Sequence, residues 1–268
     1  MIGFAESFLA WTAATLLPAL AGLFIIVGVS TWVNSKYLAA FALGIFLWFF
    51  VDTIGGSANL DVNSGFGGGI GQVGVVILFI LGALSFFSLD RKRNTFSAES
   101  AIGKYGFVIP ALVAAAVGIH GLGEGWSFGT TAFNTMSTDL LDAFGGISAG
   151  VAYVLHKALE PMMVGACYAV YTKGQIRTKA RWIRDILILG VIFVFTSILG
   201  AGLGYFITTV DTTYFFALGT GTSIYASIRL AGPLFIPSQI SKERETALLA
   251  VSLLLGFLAI YVAALFHS

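Results

Sequence analysis

Apolar residues in this chain fall into long unbroken runs. They do not show the two-residue alternation of a half-buried strand or the narrow stripe of a surface helix. The runs cover roughly residues 8–30, 37–54, 70–89, 105–129, 146–172, 185–209, 213–236 and 246–267. A helix needs about 20 apolar residues to cross a bilayer, so the pattern predicts about eight transmembrane helices. Polar or glycine-rich breaks part them: Gly55 to Gly69, the DRKRN run from Asp90, and KGQIRTKARWIR from Lys173. The third run is short enough for a re-entrant segment, and the sixth and seventh are parted only by a tight turn at Asp211.

Composition agrees. Of the 268 residues, 57% are hydrophobic and 10% charged, against about 25% charged in soluble domains. A soluble fold needs a polar skin that this chain does not have. The fold class expected is an all-α integral membrane protein, one domain over 1–268. A multi-pass protein of the cell membrane follows, with the lipid bilayer as partner and a homodimer as a candidate assembly. A net charge of +1 excludes a basic field for nucleic acid, and the single cysteine, Cys167, builds no thiolate cluster. The opening MIGFAES has no positive region, so the first run is read as a retained helix rather than a signal peptide.

Twelve of the fourteen cations fall in the loops after runs one, three, five and seven. They are Lys36; Arg91, Lys92, Arg93 and Lys104; Lys173, Arg177, Lys179, Arg181 and Arg184; and Lys242 and Arg244. The opposite loops and the N-terminal end hold Glu6, Asp61, Asp139, Asp142 and Asp211. Basic loops stay on the cytoplasmic side, so the alternation predicts eight spans with both termini outside. Phe41-Ala42-Leu43-Gly44 opens the second run and Phe216-Ala217-Leu218-Gly219 the seventh, starting from opposite sides. That parity fits an inverted repeat, a 3+2+3 plan used by transporters.

Five ionisable groups lie inside the fourth and fifth runs. An ionisable group at the bilayer centre costs about 2.5–3.5 kcal/mol on insertion scales, so it faces a cavity or a partner. IHGLGEGWSFG carries His120 and Glu124; VLHKALEPMM carries His156, Lys157 and Glu160. Each His and Glu are four apart, on one helix face. Together they offer two imidazoles and two carboxylates, a donor set suited to zinc, iron or manganese. Alternatively, each Glu pairs with Lys157 or a helix donor and each His only packs. Gly121, Gly125 and Gly129 mark a close helix approach. Pro161 removes a hydrogen bond to the Lys157 carbonyl and predicts a bend. Asp52 is an entrance ligand or a boundary acid, Arg229 is expected to snorkel, and His267 is terminal. The glycine runs at Gly200 and Gly219 have no strand before them, so they are not phosphate loops.

These residues resemble the ZIP family of metal-ion transporters. His120, Glu124 and Gly125 match its His-Asn-x-Pro-Glu-Gly motif, and His156, Lys157 and Glu160 its His-Lys-x-x-Glu. ALVAAAVGIH and GVAYVLHK before the motifs, AFALG, TSILGAGLG and LLLGFLAIYVAALFH are similar to the family's helices. The resemblance implies a transporter, not an enzyme, that moves a divalent metal ion, zinc first and iron or manganese next, toward the cytoplasm, with no organic cofactor. It implies a primary metal site of His120, Glu124, His156 and Glu160. Gly121 and Gly123 replace the motif's Asn and Pro, and Lys157 stands where binuclear members carry an acid. A mononuclear site is therefore expected, with the lysine ammonium in the second ion's place. Because metal ligands must be deprotonated, uptake is expected to slow at low pH. Two other readings use the same residues: a bis-histidine b-type haem protein, and an intramembrane metal hydrolase with three ligands and an open water position.

Overall fold

The computed structural model describes residues 3–64, 70–90, 101–134, 140–175, 178–236 and 241–265; side chains of 56–64, Ile70, Gln72 and Leu140 are left aside. Arg91, Lys92, Arg93, Asp139, Arg177 and His267 lie outside the described residues.

The described residues are helical and contain no strand. Helix is the form a chain takes where no water is present to satisfy backbone N–H and C=O groups. The helices are α1 (Phe4–Val29), α2 (Ser35–Ser64), α3 (Ile70–Asp90), α4 (Val108–Gly118), α5 (Gly121–Asn134), α6 (Leu140–Ala143), α7 (Ile147–Leu159), α8 (Pro161–Tyr171), α9 (Lys179–Phe206), α10 (Thr213–Ala231) and α11 (Lys242–Ala264), with a 3-10 turn at Gly232–Phe235. Six segments are long and apolar enough to cross a membrane: Phe4–Val29, Ser35–Gly55, Val73–Asp90, Val108–Asn134, Lys179–Phe206 and Lys242–Ala264. The protein is a multi-pass membrane protein. Leucines on α3 and α11, such as Leu84 (58% exposed) and Leu254 (54%), form a surface suited to acyl chains.

Two differences from the sequence expectation are local. The break expected from Gly55 does not start there, because α2 stays helical through Ser64. Glycine lowers helix propensity by about 1 kcal/mol but does not forbid the conformation. The third run is one continuous 21-residue helix, where a re-entrant segment would need a reversal. The turn at Asp211 is present, and its Oδ1 accepts from the Thr213 N–H at 2.9 Å to start α10.

The helices fall into two sets. One holds α1, α4–α5, α7–α8 and α9; the other holds α2, α3, α10 and α11. Lipid is as apolar as leucine, so close backbone packing must hold such sets together. Glycines supply it. A Cβ on Gly125 would stand 2.8 Å from the Ala201 backbone nitrogen, and one on Gly129 2.7 Å from that of Tyr205. The stripe Gly121, Gly125 and Gly129 therefore seats α5 on α9, with Gly200 and Gly204 answering from the other side. In the second set Gly44 and Gly256 join α2 to α11, and Gly82 and Gly221 join α3 to α10. The sets meet where α10 packs on α4 and α2 packs on α8. With α4–α5 counted as one unit and α7–α8 as another, exchanging these two units, and α1–α3 with α9–α11, turns each of these pairings into another that is also present.

Among the described residues, the basic loops are tied together in pairs. Lys36 Nζ donates to the Ile236 carbonyl at 2.6 Å and pairs with Glu245, joining the loop after α1 to the start of α11. Gly103 N–H donates to the Tyr171 carbonyl at 3.0 Å, and Gln175 Nε2 to the Gly103 carbonyl at 2.5 Å, joining the loops after α3 and α8. Phe4 packs on Tyr205 and Phe206, with centroids 5.2 and 4.8 Å apart.

Candidate metal centre

Both helices that carry the His-Glu pairs are broken at the pair. The run of α4 stops at Gly118, and the turn tightens: Leu122 N–H bonds the Ile119 carbonyl and Gly123 N–H the His120 carbonyl, each at 3.0 Å. Thr196 Oγ1 on α9 takes up the Gly118 carbonyl. Between α7 and α8 the break falls at Glu160, next to Pro161. The interruption falls where Pro161 cannot donate to the carbonyl a turn earlier, while Glu160 itself keeps helical φ and ψ of −55° and −47°. Broken helices free backbone and re-aim side chains at membrane depth, which is tolerated where they are buried in protein or line a cavity.

The breaks bring three predicted residues together. His120 Nε2 lies 3.6 Å from Glu124 Oε1 and 3.4 Å from Glu160 Oε2. Ligand-capable atoms of His120, Glu124 and Glu160 all lie within 4.8 Å of one another. His120 is buried, its ring edge-on to Phe49 at 4.5 Å. Its backbone is pinned by α10, because a Cβ on Gly219 would sit 2.6 Å from the His120 Cα. His120 Nδ1 is hydrogen-bonded to the Val117 carbonyl. The carbonyl can only accept, so Nδ1 carries a proton and Nε2 is the atom that faces the carboxylates, the orientation of a metal-ligating imidazole.

A cation from the chain itself already stands among these groups. Lys157 Nζ is 2.6 Å from Glu124 Oε2, 2.6 Å from Glu160 Oε2 and 3.2 Å from His120 Nε2. The ammonium is 1% exposed, and the Tyr153 and Phe193 rings lie 5.7 and 5.8 Å from it. Pairing of both glutamates with Lys157, one of the alternatives left open by the sequence, is thus present. With both carboxylates ionised, the ammonium cancels one of two negative charges, and the cluster is left at −1 when His120 is neutral and at zero when it is protonated.

His156 does not join that group of three. It lines a neighbouring cavity of about 320 Å3 with Trp48, Asp52, Glu124, Tyr153 and Ala264. Glu124 is common to cluster and cavity and is 22% exposed on its side chain. Asp52 is exposed, and His156 is buried. Sequence reasoning missed Trp48 and Tyr153. Both were findable, since Trp48 is four residues before Asp52 and Tyr153 four before Lys157, on the same helix faces. Tyr153 is held by its hydroxyl contact with Thr15 Oγ1 at 2.8 Å and by stacking on Trp11 at 4.4 Å.

Arg229 departs from the expectation of snorkelling. It is 3% exposed and ion-paired with buried Asp90. Inside a packed bundle a carboxylate within reach satisfies the guanidinium, and no path to headgroups is needed.

Compared with known proteins, the chain matches no family model and no curated protein.

Proposed function

We propose that this chain carries a divalent first-row metal ion across the membrane, as a divergent transporter similar to the ZIP family. The observation that carries this reading is the convergence of His120, Glu124 and Glu160 within 4.8 Å, next to a cavity bearing Asp52 and His156. In this reading Asp52 receives the ion, and His156 and Glu124 hold it in the cavity. His120 and Glu160 complete the primary site. Lys157 keeps the second position filled by a tethered ammonium, so one metal binds per protomer. Two carboxylates and a deprotonated imidazole form a donor set that favours a cation, and the mixed set suits zinc, with iron or manganese next.

The same reading takes the chain as eight spans, with α4–α5 and α7–α8 each crossing once and α10 as the seventh. Both termini then lie outside, and transport runs toward the basic, cytoplasmic end. The exchange symmetry of helix pairings supports a 3+2+3 inverted repeat. No enzymatic step is invoked. The haem reading fits poorly, because His120 Nε2 faces Lys157 and two carboxylates where a macrocycle would have to lie.

The test is uptake of zinc, iron and manganese into proteoliposomes, with Glu124→Ala and His156→Ala for comparison. Wild type is expected to load metal and both variants to lose most of the flux. Equal flux in all three would overturn the site, and two metals bound between α5 and α7 would overturn the single-ion assignment.

A further inference from the structure

The donor atoms that would hold an ion are already in use. Lys157 Nζ lies 2.6 Å from Glu160 Oε2 and 3.2 Å from His120 Nε2, and those two atoms lie 3.4 Å from each other. An ion bonded to both at about 2.1 Å would sit within about 3.6 Å of the ammonium nitrogen, whichever side of the pair it took. The third donor is held as well, with Glu124 Oε2 at 2.6 Å from Nζ. The ammonium and an ion therefore contend for the same oxygens and the same nitrogen.

Charge sharpens the conflict. Glu124 and Glu160 carry two negative charges and Lys157 one positive. A ligating imidazole is neutral, so a divalent ion among these groups leaves the cluster at +1 if the ammonium stays. Lys157 is 1% exposed, and an uncompensated charge in such a place is costly. One further carboxylate cancels it, and the neighbouring cavity of about 320 Å3 supplies one, because Asp52 is the acid on its wall besides Glu124. Glu124 and Tyr153 border both places. They line the cavity, and they lie against the ammonium, the Tyr153 ring 5.7 Å from Nζ. Tyr153 is pinned by Thr15 and Trp11, so it is a fixed wall beside the flexible four-carbon stem of the lysine. Of the two carboxylates Glu124 is the more open, its side chain 22% exposed against 6% for Glu160. The way out for the ammonium is therefore on the Glu124 side, toward the cavity.

We propose that Lys157 exchanges places with the ion: its ammonium holds Glu160 and His120 until a divalent ion displaces it, and then passes along Glu124 to pair with Asp52 in the cavity. This deepens the transport reading and rests on it. The second position that the ammonium keeps filled is the one it takes beside the bound ion, whereas in the conformation described it rests on the ion's own donors. After the exchange three carboxylates face one divalent ion and one ammonium, and the charges sum to zero. Asp52 thereby gains a second task, as counter-ion of Lys157 once it has passed the metal inward. Return of the ammonium to Glu160 and His120 favours release, so a site with two buried carboxylates does not trap its cargo.

The wild-type chain itself reports the movement. Lysines are reductively methylated with formaldehyde and a borane, on the full chain in nanodiscs, and read by mass spectrometry with exposed Lys179 as internal reference. Saturating zinc is expected to speed methylation of Lys157 relative to Lys179 about tenfold or more, because an open ion pair shields an amine far less than a buried one. A rate that zinc leaves unchanged or lowers overturns the exchange. Zinc affinity is then measured by calorimetry for wild type, Asp52→Asn, Lys157→Met and the double variant. Asp52→Asn is expected to weaken zinc about tenfold where Lys157 is present and little in the Lys157→Met background, where no ammonium needs the carboxylate. Equal losses in both backgrounds make Asp52 a plain entrance ligand and overturn the exchange. Should Lys157→Met fail to fold, methylation decides, since zinc is expected to expose Lys157 in wild type and not in Asp52→Asn. Zinc flux into proteoliposomes is recorded separately. Exposure of Lys157 by zinc without flux sinks the transport reading and leaves the exchange standing. Flux with Lys157 unmoved sinks the exchange alone, and zinc that binds neither wild type nor Lys157→Met sinks both.

Discussion

Replacing Lys157 by methionine keeps the stem of the side chain and removes only the ammonium. In the structure that ammonium touches two carboxylates at 2.6 Å and an imidazole nitrogen at 3.2 Å, all at 1% exposure of the lysine itself. Removing one partner of a buried ion pair costs about 3–5 kcal/mol, because the other charge stays buried without compensation. Here two carboxylates lose their partner together, so the upper part of that range is expected, a melting point lower by roughly 10 °C or more. The donors left behind, Glu124, Glu160 and His120, are those of a metal site. A divalent ion that binds the folded variant at about 100 times its Kd returns about 2.7 kcal/mol. The assay is thermal unfolding of wild type and Lys157→Met in detergent, with chelator and across a zinc or manganese series. The variant is expected to be strongly destabilised in chelator and to recover most of the loss as metal rises, with a larger metal response than wild type. A variant as stable as wild type, or one that metal does not stabilise further than wild type, would refute the view that Lys157 holds a cation position.

Four further outcomes follow from the packing and charges. Gly219→Ala puts a Cβ 2.6 Å from the His120 Cα, so a loss of about 1–3 kcal/mol and reduced metal uptake are expected. Gly28→Ala, with nothing within 4 Å, should leave melting temperature and uptake unchanged. Asp52→Asn, on the exposed rim of the cavity, is expected to weaken apparent metal affinity about tenfold at unchanged melting temperature, read from the concentration dependence of uptake. Arg229→Met alone is expected to cost about 3–5 kcal/mol by stranding Asp90, and the double variant with Asp90→Leu considerably less. Thermal unfolding of the two singles and the double checks the non-additivity.

Much of the fold is legible in the chain because the bilayer imposes a simple rule. Long apolar runs must be helices, and the structure gives helices across all eight runs, six of them long and apolar enough to cross a membrane. The glycine spacing of Gly121, Gly125 and Gly129 named a close contact correctly, but not its partner, because spacing marks a face and says nothing of what packs on it. Pro161 foretold the break at Glu160, since a missing N–H acts within its own turn. The break at His120 carries no proline and is made with a side chain from α9, Thr196, which no local pattern reveals.

The candidate site divides the same way. Residue types and four-residue spacing are sequence properties, and they singled out His120, Glu124, His156, Lys157 and Glu160 before any coordinates. How those side chains share space is a tertiary matter. Packing of two interrupted helical segments sets His120, Glu124 and Glu160 around the Lys157 ammonium and puts His156 with Asp52, in a cavity whose wall includes Trp48 from α2 and Ala264 from α11. The pairing of Arg229 with Asp90, 139 residues apart in the chain, could not be read from either neighbourhood. Periodicity and composition report what a residue must avoid. Only the packed bundle determines which partner, at which distance, satisfies it.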